Sequence, residues 1–198
     1  QAHDLKREIV KRQIAYVNAL RCQLRRQPIG EDVTQFLEEQ DKGKALARAN
    51  PANGLLDSTG RRIDMARREA MIDTIQQAQM EAVLIDIANA QGGMERLKNT
   101  PLPVQYRFLP TIFTHIFCVT LPIGLVETLG LATPLGSTVA GLMFLAVLRI
   151  GDDLTDPFAD TVHDVPMTAM CRTIEIDLLQ SIGDVAPEPH QPVRGVLW

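Results

Sequence analysis

The sequence predicts an all-α fold in which a membrane-spanning helical hairpin separates two water-facing helical parts, and three observations predict it. Charge is spread unevenly: residues 1–107 are rich in Lys, Arg, Asp and Glu, whereas residues 108–148 hold one formal charge, Glu127. This charge-poor stretch supplies two apolar runs, Phe108–Val126 and Leu129–Ile150, of nineteen and twenty-two residues, the second reaching Arg149 near its end. A helix rises ~1.5 Å per residue, so about 20 residues cross a hydrocarbon layer about 30 Å thick. No stretch alternates polar and apolar residues with the period of two that a half-buried strand needs, and no internal repeat is present.

The first element is an amphipathic helix over residues 4–26. Val10, Ile14, Val17, Leu20 and Leu24 recur at spacings of four, three, three and four, which places them on one face. Lys6, Arg7, Lys11, Arg12, Arg21, Arg25 and Arg26 load the remaining surface, either as a solvated face or as a contact for anionic headgroups or an ion vestibule. Pro28 and Gly30 end this helix. A short acidic helix is expected from about Glu31 to Glu39. A second, Lys42 to Ala49, is closed by Asn50-Pro51, because a residue before proline is pushed out of the helical region. A helix from about Asn53 to Arg68 follows, then a longer one from about Ala70 to Ala90. The latter carries Ile72, Ile75, Met80, Val83, Leu84 and Ile87 as an apolar stripe, and Gly92-Gly93 is expected to interrupt or end it.

Next come the two apolar runs. Glu127 falls in the expected turn Glu127-Thr-Leu-Gly-Leu131, where a charge avoids the cost of about 2.5–3.5 kcal/mol at the bilayer centre. Arg96, Lys98 and Arg107 precede the hairpin and Arg149 follows it, while the turn holds no Lys or Arg. The positive-inside tendency then puts both ends of the hairpin in the cytosol. Pro122 and Pro134 imply kinks or helix ends, and Gly136, Ser137, Ala140 and Gly141 are small residues suited to close helix packing. The domains expected are therefore 1–107, a cytosolic helical region; 108–150, a transmembrane helical hairpin; and 151–198, a cytosolic helix (Met167 to Ile182) with an extended tail. Because the chain begins at Gln1, further transmembrane segments are expected upstream.

The net charge of −4 on 198 residues gives no reason to expect a nucleic-acid partner. Cys22, Cys118 and Cys171 are widely spaced and read as reduced, buried thiols. Glycine-rich phosphate loops, nucleophile elbows and His-Glu-x-x-His signatures are missing, so no catalytic residue, cofactor or metal is assigned. His115 inside the first run is either a packing residue or the centre of intramembrane chemistry. Asp152, Asp153, Asp156, Asp160, His163 and Asp164 form an acidic cluster without the regular ligand spacing of a calcium loop, and helix capping and solvation explain them more simply.

Three blocks bracket the hairpin in a fixed order: Glu95-Arg-Leu-Lys-Asn-Thr-Pro-Leu-Pro103, Gly151-Asp-Asp-Leu-Thr-Asp-Pro-Phe158 and Asp164-Val-Pro-Met-Thr-Ala-Met-Cys-Arg-Thr-Ile-Glu-Ile-Asp-Leu178. Together they resemble the bestrophin family, in its prokaryotic branch, from the first helix to about Leu179. The resemblance implies a helical channel subunit that assembles as a homopentamer in the bacterial inner membrane, most of the present chain being cytosolic. It implies conduction of monovalent ions along the five-fold axis, cations more readily than anions, through apolar constrictions. Counting back from Pro103 places the cytosolic exit ring at Ile75, with Ile72 and Gln79 adjacent to the pore. Pro101 and Pro103 mark the entry to the membrane segment, and neck residues would lie upstream of Gln1. The acidic calcium clasp of the eukaryotic branch is thinned here to Ala159-Asp-Thr-Val-His-Asp164. A membrane-anchored helical scaffold that binds a cytosolic partner is the alternative reading.

Overall fold

The computed structural model describes residues 2–100 and 103–197. Pro101, expected at the membrane entry, lies outside them. In chain order the helices are α1 (Ala2–Arg25), α2 (Glu31–Thr34), α3 (Glu39–Ala45), α4 (Pro51–Arg68), α5 (Thr74–Asn99), α6 (Val104–Leu129), α7 (Thr133–Asp153) and α8 (Met167–Ser181), with a 3-10 turn at Gly130–Ala132 between α6 and α7. No strand occurs among the described residues, only an isolated bridge between Val193 and Val196. The chain divides into two compact units, one made of residues 1–99 and 158–198 and the other of residues 100–157.

In the first unit α1 packs against α4 and α8, and its apolar stripe is the centre of the core. Ile14, Leu24, Leu55, Val33 and Ile63 are almost wholly buried, joined by Leu56, Leu37, Phe158 and Met167. Ile14 also meets Leu179 and Ile182, which fastens α8. Burying side chains of this size contributes roughly 1.5–3 kcal/mol each, which is what holds short elements such as α2 in place. The acidic helix expected over 31–39 stops at Thr34. Val33 and Leu37 must both reach the core, so the chain turns after one helical turn and starts again as α3 at Glu39.

The cations of α1, which two readings left facing water or ions, are largely drawn inward. Arg12 is 7 % exposed and pairs with Glu8 at 3.0 Å and Asp41 at 2.5 Å, and donates to Ser58 Oγ at 2.9 Å. Arg21 pairs with Asp32. Arg25 pairs with Asp160 at 2.7 Å and donates to Thr168 Oγ1 at 2.7 Å, and Arg7 pairs with Asp184 at 2.6 Å. These charges tie α1 to loops and to the chain around α8. Asp160, one of the six residues in the acidic run after the hairpin, is thereby spent on structure.

Two helix starts have specific causes. Asn50 is the N-cap of α4: its side chain accepts from Asn53 N at 2.9 Å, and Pro51 sits in the first turn, where its missing N–H costs nothing. The helix therefore begins two residues before the expected Asn53. Helix α5 begins at Thr74 rather than Ala70 because Asp73 and Gln76 form a reciprocal cap. Gln76 N donates to Asp73 Oδ1 at 2.7 Å and Asp73 N donates to Gln76 Oε1 at 3.0 Å. The expected break at Gly92-Gly93 does not occur. The helix runs through both glycines to Asn99, since Gln91 and Glu95 on either side are locked into the core.

The second unit is an antiparallel helical hairpin. Gly130 adopts φ +50°, a backbone conformation glycine enters at no steric cost, and turns α6 into the 3-10 segment. Glu127 sits one turn earlier than expected, still inside α6. Pro110 and Pro122 lie within α6, whereas Pro134 occupies the first turn of α7 and interrupts nothing. Close approach is made by small residues. A Cβ on Gly141 would lie 3.4 Å from Cys118 Sγ, and one on Gly136 2.9 Å from Leu129 Cδ1. Phe117 and Phe144 meet nearby with ring centroids 4.6 Å apart. The run Val104–Asp153 is long and apolar enough to cross a membrane.

Candidate functional site

Helix α5 carries Ile75 and Gln79, two of the three residues singled out at the pore, and its two faces have different chemistry. The inward face holds Leu84, Ile87 and Met94 against the core and the almost wholly buried Gln91, the centre of a polar network. Gln91 Oε1 accepts from Tyr16 Oη at 3.1 Å, and Gln91 Nε2 donates to Glu95 Oε1 at 2.7 Å. The same Glu95 oxygen accepts from Gln23 Nε2 at 2.7 Å and Asn50 Nδ2 at 2.9 Å. One carboxylate oxygen thus joins α1, the cap of α4 and α5. Burial works to raise the Glu95 carboxyl, but the hydrogen bonds from Gln91, Asn50 and Gln23 outweigh it and hold it below its ordinary value. Burial, with the Glu95 charge beside it, pushes the Tyr16 hydroxyl up to about 12, so it remains a donor.

The opposite face is a ridge of Ile75, Gln79, Ala82, Asp86, Asn89 and Gly93, spaced by four, three, four, three and four. That spacing keeps them on one side of a helix. The first five are exposed, Ile75 by 69 %. Ile75 and Gln79 therefore share one face. Ile72 does not belong to it as expected: it lies half-buried in the link before the Asp73 cap, outside the helix. The apolar stripe read from the sequence is divided likewise. Leu84 and Ile87 pack inward, whereas Ile75, Val83 and Ile85 are exposed.

The remaining candidates are accounted for locally. Pro103 is the N-cap residue of α6, its carbonyl accepting from Tyr106 N at 2.9 Å. His115 Nδ1 lies 2.6 Å from Thr111 O, one helical turn earlier. Asp164 Oδ2 accepts from Thr161 N at 2.7 Å, and Asp153 pairs with Arg149 at 3.3 Å. Among the described residues no three His, Cys, Asp or Glu side chains converge as a metal site would require. Cys22 and Cys171 are buried, and burial pushes the Cys171 thiol up to about 11, far from the thiolate that ligation or nucleophilic attack needs.

Comparison with known families matches residues 1–180 to a model described as bacterial/fungal bestrophin protein. The chain belongs to the bestrophin family. The voltage-dependent anion channel-forming protein YneE of Escherichia coli (strain K12) is 34 % identical over 183 residues, 92 % of this chain and 60 % of that protein. A protein of the same designation from Mesorhizobium japonicum is 32 % identical, over 92 % of this chain and 59 % of its own length. Among solved structures, a bacterial bestrophin homolog from Klebsiella pneumoniae superposes with a TM-score of 0.87 at 33 % identity, over 92 % of this chain and 68 % of that one. This bestrophin chain thus spans about 60 % of the length of the curated relatives it matches.

Sequence reasoning missed the polar network. Tyr16, Asn50, Gln91 and Glu95 lie on two helices and at the cap of a third, which only the fold brings together. Part of the signal was local: Gln91 and Glu95 are four residues apart on the face that also carries Leu84 and Ile87, and a polar pair at core-facing positions calls for partners.

Proposed function

We propose that this chain is the hairpin-bearing and cytosolic part of a membrane ion-channel subunit. Several copies, five by the family resemblance, surround a shared water path. Residues 108–150 cross the bacterial inner membrane, with 1–107 and 151–198 on the cytosolic side. Ions are monovalent, cations passing more readily than anions. The channel designation of the curated relatives supports conduction; their names specify anions, and reversal potentials under a NaCl gradient decide the sign for this protein.

The observation that carries the reading is Ile75. It is 69 % exposed in the first turn of a helix whose other face is tied to α1 by the buried Tyr16–Gln91 hydrogen bond. It is also the one large apolar side chain on a ridge otherwise made of Gln79, Ala82, Asp86, Asn89 and Gly93. Brought around an axis, such ridges form a polar, small-residue vestibule narrowed by a ring of isoleucine. The ring offers no oxygen to replace an ion's hydration shell, so passage depends on whether the constriction is wide enough to stay wet. The network at Gln91 and Glu95 gives α5 a rigid backing, which such a ring needs to hold a fixed diameter.

The test is Ile75→Ala in full-length protein in planar bilayers. Shortening the ring is expected to raise single-channel conductance several-fold or change relative permeability. Currents and selectivity identical to wild type would remove Ile75 from the pathway. Absence of flux from folded wild-type protein in liposomes would replace the channel with a membrane-anchored scaffold.

A further inference from the structure

The ridge of α5 holds one carboxylate, and its surroundings differ from those of most charges in its unit. Glu8, Asp32, Asp41, Asp57, Asp64, Asp160 and Asp184 each pair with an arginine. Asp86 makes no hydrogen bond or ion pair among the described residues and is exposed. It lies eleven residues after Ile75, three turns along the same face, about 16 Å away at the rise of an α-helix. Its neighbours on that face are Ala82, Asn89 and Gly93, small or neutral residues that leave room for water and add no countercharge.

We propose that Asp86 is the charge-selectivity residue of the vestibule. Each copy contributes one carboxylate, and the resulting ring concentrates monovalent cations behind the isoleucine constriction. The proposal rests on the reading that the Ile75 face lines the water path. Acidic rings select cations because the summed field raises local cation concentration and lowers that of anions before either meets the narrow point. The apolar ring supplies width but no charge, and Asp86 is the one formal charge on the ridge. The first Lys or Arg after Asp86 on α5 is Arg96, whose Nε donates to Gly92 O at 3.1 Å. The other exposed carboxylate on α5, Glu81, lies off the ridge and accepts from Gln77 Nε2 at 2.7 Å.

Full-length protein in planar bilayers under a NaCl gradient distinguishes the outcomes by reversal potential. Wild type is expected to favour Na⁺. Asp86→Asn should lower the Na⁺/Cl⁻ permeability ratio about tenfold, the low end of what a charged cleft does to local ion concentration, and Asp86→Lys should lower it further. Glu81→Gln removes an equal charge from the same helix and should leave the ratio unchanged. Asp86 is exposed and unpaired, so its variants should keep the wild-type thermal midpoint. Wild-type ratios in both Asp86 variants, or an equal shift in Glu81→Gln, would overturn the assignment while leaving the channel reading intact. A wild-type channel that favours Cl⁻ would also overturn it. No current from folded wild type would overturn the channel reading and Asp86 with it.

Discussion

In the unit formed by residues 1–99 and 158–198, Ile14, Leu24, Leu55 and Ile63 have almost no exposed surface, and arginines reach over loops to meet carboxylates. In the 100–157 unit the order is reversed. Among its described residues those buried are Thr114, Thr133 and Gly141, while Val119, Ile123, Leu135 and Val147 are each more than two-thirds exposed. Both units are helical, so the difference lies in the solvent each is written for. Water drives the first to hide apolar area, at roughly 25 cal/mol per Å². The hairpin gains nothing by hiding leucines from a medium as apolar as leucine. Its helices touch through small residues and turn their large ones outward, which is how helices associate in lipid.

That contrast can be broken most severely at Gly54. A Cβ there would sit 2.2 Å from Ala45 O and 3.0 Å from Ala45 C, backbone atoms at the end of α3 that cannot yield without moving the helix. Gly54→Ala is expected to destabilise the full-length protein by about 3 kcal/mol, the top of the usual range for overpacking. The gain in helix propensity, about 1 kcal/mol, is too small to offset it. Gly93→Ala is the companion: nothing lies within 4 Å of its added Cβ, so only the gain should appear. A thermal midpoint for Gly54→Ala equal to that of Gly93→Ala would show that α3 and α4 are not in tight contact.

The next largest effect belongs to Glu95. Glu95→Ala leaves the donors of half-buried Gln23 and Asn50 and of buried Gln91 without their shared acceptor, and a buried donor left unpaired costs about 1–3 kcal/mol. A loss of about 2 kcal/mol in denaturant unfolding is expected. The same residue sets a pH dependence. Its carboxyl is held below the unfolded value, so its contribution is present above about pH 4.3 and is lost as pH falls through the folded value. Glu175 has the opposite sign. Burial raises its carboxyl despite Arg172 at 3.1 Å, so folding binds that proton more tightly and gains as pH falls. Glu95→Ala should therefore flatten the acid limb of the stability curve, with the opposing Glu175 contribution unchanged. An unaltered acid limb would mean that the Glu95 hydrogen bonds do not depend on its charge.

How much was legible in the sequence follows the same division. Period and length alone revealed α1 and the paired apolar helices, because each depends on one face or one solvent. Starts and stops were less visible. The Asp73/Gln76 cap was a readable pattern that the apolar stripe from Ile72 obscured, and Gly92-Gly93 suggested a break that Gln91 and Glu95 override through contacts made 41 to 75 positions away in the chain. The arginines of α1 resembled a solvated face for the same reason, since Asp160 and Asp184 are distant in sequence. At the candidate site, Ile75 and Gln79 could be placed on one face by spacing, but the exposure of that ridge required the fold, as did the loss of Ile72 from it.

The smallest effect expected comes from the substitution that is most damaging at Gly54, made in the hairpin. At Gly141 an added Cβ would lie 3.4 Å from Cys118 Sγ, at the near edge of ordinary contact and against a side chain rather than a backbone. The lost glycine freedom favours alanine by about 0.5–1 kcal/mol, and the slight crowding opposes it. Gly141→Ala should therefore leave the unfolding free energy in detergent within about 1 kcal/mol of wild type. Gly141→Leu removes the room altogether and must separate α6 from α7, disturbing the Phe117–Phe144 contact close by. If the leucine variant were as stable as the alanine one, small-residue packing would not hold the hairpin together. The exposed valines and leucines would then have to be covered by other protein, and the hairpin would obey the same solvent logic as the core it interrupts.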